Sequence, residues 1–124
     1  MQKGGPLFTF TLPAKAVSWN TLARKNHWYY TKAFDYWKDL TLGMANALKP
    51  KAPYNGPVRL IFEARWKGKR AHDADNILVK PIVDQLKDMG FFIDDNTFFI
   101  PEVVLRGSNC CNKDELVVTC ERYV

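Results

Sequence analysis

The sequence has no apolar run of the roughly 18 residues that a membrane-spanning helix requires. Its first residues, Met1 to Pro6, also lack the long apolar segment of a secretory signal, which predicts a cytoplasmic protein. The three cysteines are an odd number, and the adjacent pair Cys110-Cys111 does not favour ordinary disulfide geometry. With two histidines and no Cys-x-x-Cys spacing, a structural zinc site is not expected.

The composition is that of a folded globular protein, with 47% hydrophobic and 25% charged residues among 124. We therefore expect residues 1–124 to form a single compact domain without disulfides. The formal net charge of +5 suits an anionic partner such as nucleic acid. Lysines that are simply exposed to solvent produce the same net charge, so the position of the charges matters more than their sum.

The first half of the chain predicts a strand, a helix and a second strand. Residues 7–12 alternate apolar side chains with threonine and end at Pro13. After a long connection, a helix is predicted from about Thr31, with Thr31 as its N-cap. Its apolar residues recur at spacings of three and four, at Phe34, Trp37, Leu40, Met44, Ala47 and Leu48. Alternation over residues 58–66 predicts the second strand.

The second half predicts a helix and two strands. The helix is expected from about Asn76 to about Met89, with Gly90 as its stop and with Ile82, Leu86 and Met89 on its apolar face. Strands are predicted over residues 98–105 and 116–120, joined by the turn Gly107-Ser108-Asn109. The order strand, helix, strand, helix, strand, strand predicts a mixed α+β fold.

Two carboxylates lie one residue apart, Asp73 and Asp75, between a basic strand end and a predicted helix start. In extended backbone such a pair points to the same side. The two anions repel unless a divalent cation lies between them, and Mg²⁺ prefers carboxylate oxygens over a ligand such as His72. The pair indicates a metal site; the alternative is that Asp75 caps the helix and Asp73 is solvated.

A second acidic pair, Asp94-Asp95, follows the second helix. Followed by Asn96, it is also typical of a simple turn. If the connection after the helix returns toward its start, these acids join Asp73 and Asp75 in one cluster.

Lys80 and Asp84 are four residues apart, so they share one face of the second helix. One interpretation is a surface ion pair worth a few tenths of a kcal/mol. The other places the Lys80 ammonium beside the acids, where it stabilises negative charge developing on a phosphate.

Basic residues flank the acids. Lys67, Lys69 and Arg70 lead into Asp73, where they either contact a phosphate backbone or form a solvated loop. Arg24 and Lys25 precede aromatic residues that either stack on unpaired bases or pack on the domain, namely Trp28, Tyr29 and Tyr30.

Together, three elements resemble the signature of the RusA family of Holliday junction resolvases. They are Asp73-Ala74-Asp75-Asn76, Lys80 with Asp84, and the segment Gly90-Phe91-Phe92-Ile93-Asp94-Asp95. The surrounding order is similar as well, with a strand ending in proline, a polar loop containing Asn20, a helix, and a strand that runs into basic residues. The resemblance spans most of the chain, and its specific part is residues 70–95.

The resemblance implies a homodimeric RusA-like nuclease that makes paired nicks across a four-way DNA junction in recombination and repair. It implies Mg²⁺, with Mn²⁺ as a substitute, no organic cofactor and no membrane, in a bacterial or phage-infected cell. It makes Asp73, Asp75 and Asp95 the metal-binding catalytic carboxylates and Lys80 the catalytic lysine, with Asp94 assisting. The residues expected to contact DNA are Lys67, Lys69, Arg70, Arg24 and Lys25.

One departure concerns the spacing before Lys80. The family usually has two residues between the asparagine and the lysine, whereas this chain has Ile77, Leu78 and Val79, followed at once by Pro81. An extra residue in a helix is commonly absorbed as a π-bulge or a kink, and we expect that here.

Two other functions fit the same residues. The chain would act as a nuclease on flaps or other branched DNA with the same metal site, or as a junction-binding module without catalysis. The presence of every matched acid favours an enzyme.

Overall fold

The computed structural model describes residues 5–18, 22, 24, 26–73 and 77–124. Its elements are β1 (Phe8–Leu12), α1 (His27–Ala45) with a short 3-10 helix (Asn46–Leu48), β2 (Val58–Lys67), α2 (Lys80–Asp88), β3 (Glu102–Cys111) and β4 (Glu115–Arg122). The predicted mixed α+β fold and its order of elements are confirmed. Within the described ranges, no helix combines the length and apolar character needed to cross a membrane.

The four strands form one mixed sheet in the order β1-β4-β2-β3. Strand β4 is antiparallel to both β1 and β2, while β3 is parallel to β2. Strands β1, β2 and β3 therefore run in one direction. We call the end of the sheet that holds their first residues the starting end, and the end that holds their last residues the finishing end. Helix α2 crosses back from the finishing end of β2 so that β3 can begin at the starting end.

The core lies between the sheet and the helices. Alternate residues of β4 are buried, as expected for a strand with one face against the core. The middle of the sheet and α2 contribute fully buried side chains to the same cluster, among them Leu60, Phe62, Ala64, Ile82, Leu86, Leu116 and Val118.

The first helix begins earlier than predicted. Asn26 is its N-cap, and its side-chain carbonyl accepts a hydrogen bond from the Tyr29 amide at 2.9 Å, so Thr31 is not the cap. The predicted buried face was also displaced: the buried residues are Trp37, Thr41 and Ala45, whereas Phe34 and Leu40 are half-buried and Met44, Ala47 and Leu48 are exposed. An apolar pattern misses Thr41, whose hydroxyl is satisfied locally because it donates to the Trp37 carbonyl at 2.8 Å.

The second helix begins at Lys80 and not near Asn76. Pro81 lies in its first turn, where its missing N–H costs nothing. Before it, Ile77 forms an isolated antiparallel bridge with Ser18. The predicted end and apolar face are confirmed, since Gly90 has φ +90° and Ile82, Leu86 and Met89 are buried. The Phe91 amide donates to the Leu86 carbonyl at 3.0 Å and the Gly90 amide to the Lys87 carbonyl at 2.9 Å, as in a Schellman motif.

The third strand was placed too early. Residues 98–99 lie in a turn, and the predicted turn 107–109 lies inside β3, while the real turn covers residues 112–114. The side-chain oxygen of Asn96 accepts from the Phe98 amide at 2.9 Å, which keeps this apolar stretch out of the sheet. Strand β3 tolerates polar residues because it is an edge strand, which among the described residues pairs with β2 alone.

Two glycines provide a matched test of this backbone. Gly90→Ala is expected to lower the free energy of unfolding by about 1–2 kcal/mol, because an alanine resists the left-handed conformation. Gly43→Ala, inside α1, is expected to raise it by about 0.5–1 kcal/mol. An added Cβ meets nothing within 4 Å at either position, so only backbone conformation differs. Urea denaturation measures both, and a shift of the same sign in both variants would contradict the account.

Candidate active site

Asp73 lies on the irregular segment that leaves the finishing end of β2. The His72 ring stacks on the Trp66 ring near the end of β2, with centroids 4.1 Å apart and planes 10° from parallel. This stacking holds residue 72, and with it Asp73, close to the finishing end. The Asp73 side chain is exposed to solvent.

A cavity of about 360 Å³ lies between this segment and the chain that follows β1. Among the described residues, its polar lining includes Lys15, Ser18, Arg70, His72 and Asp73. Strands β1 and β2 end at the same side of the sheet, and for this reason residues 15–18 and 70–73 meet. Two cationic side chains thus line the same cavity as the Asp73 carboxylate, an arrangement suited to a polyanion that approaches this acid.

Asp75, the second acid of the Asp-x-Asp motif, lies outside the described residues. Asp75 and Asn76 are among those not described, as are Asn20 and Lys25. Across the ranges that are described, no group of three or more His, Cys, Asp or Glu side chains is placed to hold a metal ion.

Asp94 and Asp95 follow α2 and differ in their surroundings. The Asp94 carboxylate accepts a hydrogen bond from the Asp95 amide at 2.8 Å and faces the Lys87 ammonium at 3.3 Å. These two interactions lower the pKa of Asp94, the backbone hydrogen bond having the larger effect. Asp95 is half-buried, and within the described part of the chain no cation forms an ion pair with it. Asp94 is therefore engaged in the turn.

Asp95 lies at the starting end of the sheet, away from Asp73. The Phe91 carbonyl accepts from the Tyr54 amide at 2.9 Å, just before β2 begins, and the Phe99 carbonyl accepts from the first amide of β2 at 2.9 Å. The Phe91 ring also packs on Phe8, at the start of β1, with centroids 4.9 Å apart. The ten residues of β2 span about 30 Å. The connection after α2 therefore does not return to Asp73 within one chain, because the buried Phe91 and Phe92 anchor it at the starting end.

Lys80 is the first residue of α2. Its ammonium donates to the Asp84 carboxylate at 3.3 Å, and its side chain is 63% exposed. Of the two interpretations of the Lys80 and Asp84 spacing, the structure therefore has the surface ion pair. The predicted π-bulge is wrong: α2 is a regular α-helix, and residues 77–79 lie before it, so the additional residue falls in a non-helical segment.

The predicted DNA-contacting residues that the structure describes are exposed, namely Arg24, Lys67, Lys69 and Arg70. The turn after β2 is held in place because the Lys67 amide donates to the Asp114 carboxylate at 2.8 Å and the Cys110 amide donates to the Gly68 carbonyl at 2.7 Å. These contacts fix the basic turn beside the turn between β3 and β4.

The aromatic residues of α1 have two different environments. Tyr30 is half-buried and stacks on Phe34, with ring centroids 4.6 Å apart, so it packs on the domain. Trp28 is 64% exposed, and the Lys32 ammonium lies 4.8 Å from the centroid of its ring. Trp28 therefore keeps an accessible aromatic surface.

Sequence reasoning missed Lys15, Ser18 and Trp66 as cavity residues. The available signal was the proline that ends β1, which places Lys15 just beyond the strand. That signal was not sufficient, because the order of residues does not reveal that β1 and β2 end on the same side of the sheet.

A scan against models of known protein families finds no match to this chain, and a search of curated proteins finds none either. The function is therefore inferred from the motif and from the geometry around it.

Proposed function

We propose that this chain is a RusA-type endonuclease that nicks four-way DNA junctions with the help of a divalent metal ion. One observation carries the proposal: Asp73, the first acid of the Asp-x-Asp-Asn motif, is exposed in a cavity that Lys15 and Arg70 also line. A carboxylate next to cations suits a metal-binding acid to which a phosphodiester is brought.

Asp73, Asp75 and Asp95 offer only carboxylate oxygens, which suit Mg²⁺, or Mn²⁺ in its place. Because Asp95 lies away from Asp73 within one chain, a metal site that holds all three acids draws them from the two copies of a homodimer. When bound, such an ion polarises a phosphate oxygen and lowers the pKa of a coordinated water. The remaining chemistry belongs to Lys80. Its exposed pair with Asp84 is worth less than about 1 kcal/mol, so its ammonium is free to leave that partner and neutralise charge on the phosphate.

The basic residues hold the DNA in this proposal. Lys67, Lys69 and Arg70 lie on the turn before Asp73, and Arg24 and Lys25 precede α1 in the sequence. Contacts of this kind act on phosphates and supply affinity without sequence preference. Paired nicks require two sites, and a homodimer with two-fold symmetry provides them.

The substrate is tested with a four-way junction, a flap and a plain duplex of the same sequence, each with Mg²⁺ and with EDTA. We expect nicking of the junction in Mg²⁺ alone, and binding to it about 10³-fold tighter than to the duplex. Equal nicking of flap and junction would replace the proposal with a general nuclease for branched DNA. Tight junction binding without nicking by the folded protein would replace it with a binding module.

A further inference from the structure

We infer that a groove between α1 and the chain that follows β1 binds a nucleobase of the DNA at the branch point. The inference rests on the proposed function and deepens it, because it adds a site for a base to the site for the phosphate. The ligand is one nucleotide whose base has left the duplex stack and lies against the indole ring of Trp28.

The groove is lined by the first part of α1 and by residues of the segment 14–18. Its volume of about 650 Å³ lies within the range of about 300–1,000 Å³ that is usual for small-molecule sites. Trp28, Lys32 and Tyr36 follow one another at intervals of four residues, so they share one side of the helix. One wall of the groove is therefore a row of aromatic and cationic side chains.

The aromatic side chains of this wall are accessible. Trp28 is 64% exposed and Tyr36 is 53% exposed. Large apolar side chains exposed this far, and close together on one helix, mark a binding surface. Every nucleobase has a π-face, so rings of this kind bind any of the four bases by stacking and without reading the sequence.

The charge of the groove favours a nucleotide over other ligands with an apolar face. Among the described residues that line it, two are cations, Lys15 and Lys32, and none is an acid. The Lys32 ammonium lies 4.8 Å from the centroid of the Trp28 ring, so positive charge and aromatic surface lie side by side. A nucleotide combines a flat aromatic base with an anionic phosphate, and it therefore matches both features.

The groove adjoins the cavity that contains Asp73. The two share Lys15, Val17 and Ser18 as lining residues. Base and phosphate of a nucleotide are joined through one sugar, so adjoining sites suit a phosphate near Asp73 and a base on Trp28. At a branch point the duplex stack is already interrupted, which lowers the cost of moving a base out of it. The groove therefore favours a junction over a plain duplex.

Equilibrium binding in EDTA tests this site without any cleavage. Trp28→Ala is expected to weaken binding to the four-way junction by about 5-fold to 100-fold, the usual effect of removing one base stack. Its affinity for a plain duplex of the same sequence should stay within about two-fold of wild type, because phosphate contacts supply that binding. Trp28→Phe keeps an aromatic face and should recover most of the lost junction affinity.

Tyr123→Ala is the matched control. Tyr123 is also an exposed aromatic residue beside a cation, since the Arg59 guanidinium lies 5.8 Å from the centroid of its ring. It follows Arg122, which pairs with Val58 at the starting end of the sheet, away from the groove. Its junction affinity should stay within about two-fold of wild type. Equal losses in Tyr123→Ala and Trp28→Ala would overturn the inference, and so would equal losses of Trp28→Ala on junction and duplex.

Removing the base itself gives a second readout. A set of junctions is prepared, each with one abasic nucleotide, either at the branch point or about ten base pairs away, one helical turn. If Trp28 stacks on a base at the branch point, Trp28→Ala and loss of that base are not additive. We expect one branch-point junction on which wild type and Trp28→Ala bind equally, while the distant abasic site leaves their difference intact. The same difference on every junction would contradict the base site.

The oligomeric state separates a base from a protein occupant. A second copy of the chain seated in the groove would make Trp28 part of a dimer interface. Trp28→Ala would then dissociate at higher protein concentration without DNA in sedimentation velocity, a result that would overturn the inference. Wild-type protein that binds junction and duplex equally would overturn the proposed function as well. A wild-type preference for the junction that Trp28→Ala retains in full would overturn the base site alone.

Discussion

Asp73→Asn is expected to slow junction cleavage by at least about a hundred-fold, the usual cost of removing a group that stabilises charge at the reacting centre. The change keeps the size of the side chain and removes its charge. Asp73 is exposed, so folding should not suffer. Junction affinity should remain within about two-fold of wild type, because phosphate contacts elsewhere supply it. Single-turnover cleavage and filter binding at one fixed salt concentration measure the two quantities.

Asp35→Asn is the matched control, since Asp35 is also an exposed acid, lies on α1 and plays no part in the proposed site. Its cleavage rate should stay within about two-fold of wild type, as for an ordinary surface substitution. If Asp35→Asn and Asp73→Asn lose activity equally, the effect arises from net charge and not from metal binding.

Phe62→Ala is expected to lower the free energy of unfolding by about 3–5 kcal/mol. Phe62 is fully buried on β2, between β4 and β3, so its removal leaves a cavity in the middle of the sheet. That loss is a large part of the roughly 5–15 kcal/mol that stabilises a typical domain. Urea denaturation at a fixed protein concentration measures it.

Phe98→Ala removes the same ring from an exposed position. The stability of the isolated chain should change by less than about 0.5 kcal/mol. A destabilisation as large as that of Phe62→Ala would mean that Phe98 belongs to the core of the chain.

The fold was predictable where local pattern and tertiary environment agree. Alternation in β2 and β4 gave strands because one face of each is buried, and Gly90 marked a helix end because few other residues adopt its backbone conformation. The sequence pattern gave the wrong secondary structure where tertiary contacts determine the backbone conformation. The apolar Phe98 and Phe99 looked like a strand, yet Asn96 folds them into a turn, and the polar β3 is a strand because β2 lies beside it.

The candidate site was predictable in its residue types but not in its assembly. The spacing of Asp73 and the nearby basic residues identified a segment that the structure places at a cationic cavity. The position of Asp95 depends on Phe91 and Phe92, whose burial at the starting end carries no local signature. Pro81 fits the first turn of a helix that begins at Lys80, whereas the start was predicted four residues too early, near Asn76.

The most direct measurement of the proposed chemistry is cleavage of a strand-labelled four-way junction by the wild-type chain and by Asp75→Asn, each with Mg²⁺ added after EDTA treatment. We predict that Mg²⁺ restores paired, symmetric nicks in the wild type, and that Asp75→Asn binds the junction without cutting it. Undiminished cutting by Asp75→Asn, or no cutting by the folded wild-type protein at any Mg²⁺ concentration, would contradict the account.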